Sequence, residues 1–75
     1  MKTYTDINHD SNVESYEIRG NSIIVKFKSG STQFYEYTTF SAGSSDIAQM
    51  EILAEQGDGL NAYININKPD YARKW

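Results

Sequence analysis

Between Val13 and Thr38 apolar and polar residues alternate with a period of two, interrupted at Gly20-Asn21 and again at Ser29-Gly30-Ser31. Alternation predicts half-buried strands and glycine-bearing breaks predict turns, so the stretch reads as an antiparallel meander of three strands, each of about seven residues. A two-residue turn led by Gly20 suits type II′ and sets the first register: Arg19 opposite Ser22, Ile18 opposite Ile23, Tyr16 opposite Val25, Glu14 opposite Phe27. Opposed residues share a face. Tyr16, Ile18, Ile23, Val25 and Phe27 therefore form an apolar side, with Ser15, Glu17, Ile24, Lys26 and Lys28 on the other.

The second turn decides where Tyr35 and Tyr37 point. A two-residue loop would set Tyr35 beside Ile24 on the charged side. A three-residue loop with Gly30 at a left-handed position pairs Val25 with Tyr35 and Ile23 with Tyr37, keeping both rings on the apolar side. We take the three-residue loop, and the resulting apolar face needs a cover. The pattern then changes period. Ile47, Met50, Leu53 and Ala54 share one stripe at helical spacing, Ser44 or Ser45 can cap the start, Asp46 suits the first turn, and Gly57 stops the helix. Ile52 falls on the opposite side, where it is either an ordinary exposed apolar residue or a contact for a partner. Leu60, Tyr63 and Ile64 repeat at i, i+3, i+4 and predict a short second helix that ends before Pro69. The expected fold is α+β: a three-stranded meander covered by one amphipathic helix, with a second short helix near the C-terminus. Residues 1–12 are polar and read as a flexible lead-in to a single domain over 13–75.

Length and composition narrow the picture. Seventy-five residues support one core, since a domain of this size buries only about 60% of its unfolded surface. There is no cysteine, so disulfides and thiolate metal sites are excluded. The N-terminus lacks a signal-peptide run and no stretch approaches the roughly 18 apolar residues of a membrane span, so a cytoplasmic, non-membrane protein is expected. The net charge of −3 disfavours a general nucleic-acid binder but permits a local basic patch.

The order of features resembles the KTSC family, short domains named after the C-terminus of some lysyl-tRNA synthetases and also found as stand-alone bacterial proteins. The matching residues are Ser11-Asn12-Val13 leading to Tyr16, Val25-x-Phe27-x-x-Gly30, Tyr35-Glu36-Tyr37 in the place of the family's central Tyr-x-Tyr, and Leu60-Asn61 followed by Tyr71 and basic residues. The likeness covers residues 11–75. Thr38 to Gly43 stands where the family has a Val-Pro-like entry to the helix. The resemblance implies a small α+β domain, for whose family RNA binding has been suggested.

No catalytic set is visible. His9 is the single histidine and lies in the lead-in, without a partner to orient it. Asp6, Asp10, Glu14 and Glu17 lack the spacing of a calcium loop, and Gly57-x-Gly59 lacks the Lys-Ser/Thr ending of a phosphate loop. No enzyme activity, metal or cofactor is expected. Tyr35 and Tyr37 are either core residues or a stacking platform for bases, and parity favours the core. Asn61 either caps the turn at Gly57 to Gly59 or binds a ligand. Two functional classes remain. One is a non-catalytic binding module for a protein or a second copy, through a surface containing Ile24, Lys26, Phe34 and Ile52. The other is weak binding of RNA or single-stranded nucleic acid through Lys68, Tyr71, Arg73, Lys74 and Trp75.

Overall fold

The computed structural model describes residues 1–75. The alternating segment forms β2 (Val13–Arg19), β3 (Ser22–Phe27) and β4 (Phe34–Thr38), the expected meander. Two further strands flank it, β1 (Lys2–Thr3) on β2 and β5 (Arg73–Lys74) on β4, giving a five-stranded antiparallel sheet in the order β1-β2-β3-β4-β5. Both additions are two-residue strands of polar sequence, too short to show periodicity.

The first hairpin has the expected register from Arg19↔Ser22 to Tyr16↔Val25. Gly20 alone takes positive φ, +51°, as a type II′ turn demands. Beyond Ser15 the register shifts, so that Val13, not Glu14, lies opposite Phe27. This bulge corrects a conflict in strict alternation, which would have turned Glu14 inward; Val13 instead reaches full burial and Glu14 stays outside. In the second hairpin Val25 opposes Tyr35 and Ile23 opposes Tyr37, the register expected, but Lys28 and Thr32 do not pair and the expected three-residue loop is five residues long, 28–32. The last bond there is from the Phe27 N–H to the Gln33 carbonyl, 2.8 Å.

After β4 the chain makes α1 (Thr39–Ala42), a single turn not foreseen from the sequence, then α2 (Ser44–Gln56) and α3 (Leu60–Asn67). The side-chain cap belongs to the short helix: the Thr38 hydroxyl accepts from the Ser41 N–H, and the Ser41 hydroxyl accepts from the Thr38 N–H. Neither Ser44 nor Ser45 caps α2, whose N-cap is Gly43. Ile47, Met50 and Ala54 of α2 bury against the inner face of the sheet with Ile23, Val25, Tyr37 and Leu60. No helix is long and apolar enough to cross a membrane.

The lead-in is not loose. Tyr4 is 4% exposed in the middle of the core, and its hydroxyl accepts the N–H of Leu60, a donor that the first turn of α3 would otherwise leave unpaired. The Ile7 N–H donates to the Gly57 carbonyl, 2.9 Å. Gly57 ends α2 in the left-handed region at φ +74°, and a Cβ built on it would lie 2.5 Å from the Thr5 Cβ. Asp6 is buried. Its carboxylate accepts from the N–H groups of Asp10 and Ser11 and pairs with Lys28 at 3.2 Å. Residues 2–11 thus belong to the domain, tied across to β3 and to the α2–α3 turn.

Two consequences can be measured. Gly57→Ala should destabilise by more than the about 1–2 kcal/mol of left-handed strain alone, because the new methyl also meets Thr5. Adding Thr5→Gly should recover the clash component and leave the strain, as read from urea unfolding midpoints. Burial of Asp6 works to raise its pKa, but the bonds from Lys28, Ser11 and Asp10 outweigh burial and hold it below its ordinary value. A carboxylate with a lowered folded pKa stabilises the fold fully above about pH 4, the unfolded value, and loses that contribution as pH falls through the folded one. Asp6→Asn should therefore be less stable than the parent at neutral pH, and the gap should close on acidification.

Candidate groove on the inner face

α2 packs across β3 and β4 on the inner face, with α3 against it. Between α3 and the Tyr35 end of the second hairpin lies an open groove of about 730 Å³. Its floor is the sheet residues Phe27, Tyr35 and Tyr37. One wall is α3, which presents Asn61, Ile64 and Asn65 and ends in Lys68; the other is the Ser29–Thr32 loop with Asn12. Pro69, Asp70, Tyr71 and Lys74 complete the rim.

The rings form one connected set. Tyr35 meets Phe27 edge-on at 5.4 Å, lies nearly parallel to Tyr37 at 6.4 Å, and receives Tyr71 edge-on at 5.1 Å between centroids. Tyr37 is buried as expected, whereas Tyr35 packs on the core but keeps part of its ring in the groove. Tyr37 is thus a core residue, and Tyr35 is half-buried at the edge of the core. Burial, reinforced by the nearby Tyr35 and Tyr71 hydroxyls, pushes the Tyr37 phenol up to about 12.

Parity splits the basic C-terminal stretch between two faces. Lys74 opposes Tyr35 and joins the groove, its Nζ 5.3 Å from the Tyr71 ring and 6.0 Å from that of Tyr35. Arg73 opposes Glu36 on the outer face and is ion-paired to it at 2.6 Å. Trp75 also lies outside, stacked on Phe34 at 5.4 Å with 7° between the planes. Lys68 reaches the groove from the C-cap of α3, in the left-handed region at φ +48° with its N–H on the Ile64 carbonyl. The five residues expected to act together therefore divide into Lys68, Tyr71 and Lys74 in the groove, and Arg73 and Trp75 behind it.

The surface expected to contain Ile24, Lys26, Phe34 and Ile52 does not exist as one patch. Ile24 is 4% exposed: it sits on the central strand opposite Glu17 and Glu36, whose carboxylates hold Arg19 and Arg73. Lys26 is paired with Glu14 at 2.9 Å and lies over the Phe34 ring. Ile52 is exposed on the helix layer, on the opposite side of the molecule. Asn61 makes no side-chain bond to the Gly57–Gly59 turn; it lines the groove. Gly30 takes φ +112° in the hairpin loop that forms one groove wall.

Three features were missed from the sequence. Asn61, Ile64, Asn65 and Lys68 are spaced i, i+3, i+4, i+7 and make a single stripe along α3, a periodicity that could have been read. Asn12 arrives through the bulge at the start of β2, for which no local pattern exists. Phe40 is 98% exposed on α1, the helix that the sequence did not announce. A smaller hollow of about 290 Å³, lined by Asp6, Asp10 and Asp58, lies across α3 from the groove and has the opposite charge. No group of three or more His, Asp or Glu side chains is placed to hold a metal ion. The chain matches no protein-family model, no curated protein and no solved structure.

The environment of Tyr37 gives a direct check. Its raised pKa means that the phenol stays neutral below about pH 12 while the fold persists, and its contribution to stability is whole below about pH 10, the unfolded value. Spectrophotometric titration should leave this tyrosine un-ionised until alkaline unfolding, and Tyr37→Phe should remove the latest-titrating component.

Proposed function

We propose that this chain is a non-catalytic, KTSC-like binding module that takes single-stranded nucleic acid, RNA in the first instance, into the groove. One observation carries the reading. Of seven Lys and Arg side chains, Arg19, Lys26, Lys28 and Arg73 are each held by a carboxylate; of the three with none within 4 Å, Lys2 lies on β1 at the opposite edge of the sheet, whereas Lys68 and Lys74 both open onto the same aromatic-lined groove.

The chemistry is complementary to an unpaired nucleotide. Tyr35 and Tyr71 offer exposed ring area on which bases stack, a contact tolerant of sequence. Lys68 and Lys74 meet phosphates as point charges. The amides of Asn61 and Asn65 each carry donors and an acceptor suited to base edges or a 2′-hydroxyl, and Asn12, whose amide oxygen accepts from the Ser29 hydroxyl at 3.1 Å, offers its NH2 donors. A duplex presents its bases edge-on within a stack and would reach none of the rings, so the single-stranded form is favoured. The net charge of −3 and only two cations in the groove make the binding weak.

A protein-partner reading has its own observation in Phe40, an aromatic side chain almost wholly in solvent. The two readings separate in one experiment. Titration with labelled single-stranded RNA should shift resonances of Tyr35, Tyr71, Asn61 and Lys74 and leave Phe40 unmoved. With two phosphates neutralised, affinity should fall by about sevenfold between about 50 and 200 mM salt, and Lys68→Ala or Lys74→Ala should each lower the logarithmic salt slope by about 0.7. No groove shift at millimolar RNA would overturn the proposal.

A further inference from the structure

The C-terminal strand carries groove residues on one face and an aromatic stack and an ion pair on the other. β5 is two residues long and lies at the edge of the sheet, where few bonds hold a strand. Its backbone is tied to β4 by the Ala72 N–H on the Glu36 carbonyl, 2.7 Å, and by the reciprocal Trp75–Phe34 pair, 2.9 Å each way. The Gln33 N–H adds a longer bond to the Trp75 carbonyl. These bonds are few. On the inside Tyr71 meets Tyr35 edge-on and Lys74 lies over both rings; on the outside the Trp75 ring lies flat on Phe34, and Arg73 pairs with Glu36 and also lies 4.6 Å from the Trp75 ring.

We infer that Trp75 is a positioning residue for the groove: its stacking on Phe34 clamps β5 to β4 from outside and thereby sets Lys74 and Tyr71 in place on the inside. The strand acts as a rigid two-sided element. Alternation forces Lys74 inward whenever Arg73 and Trp75 are seated outward, so the outer clamp and the inner cation are one equilibrium. A strand released from β4 would leave Lys74 free to point anywhere, and the groove would keep Lys68 alone. Ligand bound to Lys74 reciprocally favours the seated strand. The ligand side of this coupling rests on the nucleic-acid reading; the positioning itself does not.

The test has an arm without ligand. In the parent, the Lys74 side-chain protons should show ring-current shifts from Tyr71 and Tyr35, and the Phe34 amide should be protected from exchange. Trp75→Ala should abolish both, while Trp75→Phe, which keeps a stacked ring, should retain them. Unchanged Lys74 shifts in Trp75→Ala would overturn the inference. The second arm uses a short oligouridine. Trp75→Ala and Lys74→Ala should each weaken binding by roughly threefold to fivefold, and the double variant should be no weaker than either single one, because Trp75 acts through Lys74. Lys68→Ala, held by α3, should instead add to Trp75→Ala. Additivity of Trp75→Ala with Lys74→Ala would mean that Trp75 touches the ligand itself and would also overturn the inference. Failure of the parent to bind oligouridine overturns the nucleic-acid reading alone, and positioning is then decided by the ligand-free arm.

Discussion

The close approach of Thr5 to Gly57 is the contact on which the arrangement of this small domain turns. Only a residue without a Cβ lets the N-terminal segment lie against the end of α2, and only then do the neighbouring contacts fall into place. Tyr4 enters the core and accepts the N–H of Leu60; Ile7 bonds the Gly57 carbonyl; Asp6 reaches Lys28 at the far end of β3. The same glycine reverses the chain so that α3 leaves at an angle set from both sides. Sheet and helices alone would form a thin sandwich with an open end. The N-terminal segment closes that end, and a 75-residue chain has little other apolar surface with which to do it.

Closure at one end accounts for the opening at the other. With its first turn anchored on Tyr4, α3 buries Leu60 fully, leaves Tyr63 and Ile64 half-buried, and departs from the sheet toward Lys68. The Tyr63 hydroxyl donates to Asp46 at 2.6 Å and holds the helix to α2 instead of to β4. The Tyr35 end of β4 is therefore left open on the inner face, and Tyr35 shows part of its ring there. The groove is the region that a core of this size cannot fill, bounded by elements that are each fixed for structural reasons.

The meander was open to sequence reading because burial on one face imposes a strict period. Tyr37 and Val25 can be placed by parity alone, and so can the odd length of the loop at Gly30, though not the length itself. What escaped lacked any period. Glu14 seemed destined for the inner face until the bulge moved Val13 there; Lys2–Thr3 and Arg73–Lys74 are strands by virtue of the partner they meet, not of their own composition. Ile24 looked like a surface residue because it stands among charged neighbours, yet it is buried between two flanking strands. For the groove, the cations Lys68 and Lys74 and the ring of Tyr71 were visible in sequence, but their separation from Arg73 and Trp75 needed the strand that sequence did not reveal. The α3 stripe through Asn61 and Asn65 was present in the spacing and went unread because it is polar, and amphipathic analysis follows the apolar side.

Net charge is a poor guide to what this surface attracts, and the pairing pattern shows why. Four of the carboxylates, Asp6, Glu14, Glu17 and Glu36, are spent on neighbouring cations around the sheet. Asp46, Glu51 and Glu55 belong to α2, and Asp10 and Asp58 line the hollow on the far side of α3. Only Asp70 borders the groove, against Lys68 and Lys74. The overall value of −3 is thus the sum of a largely neutralised sheet, an acidic helix layer and a locally basic groove. At a Debye length of about 8 Å in physiological salt, a ligand inside the groove responds to those two lysines and one aspartate far more than to carboxylates on the opposite layer. The aromatic floor then decides what kind of anion gains most from entering: one that carries a flat ring beside its charge.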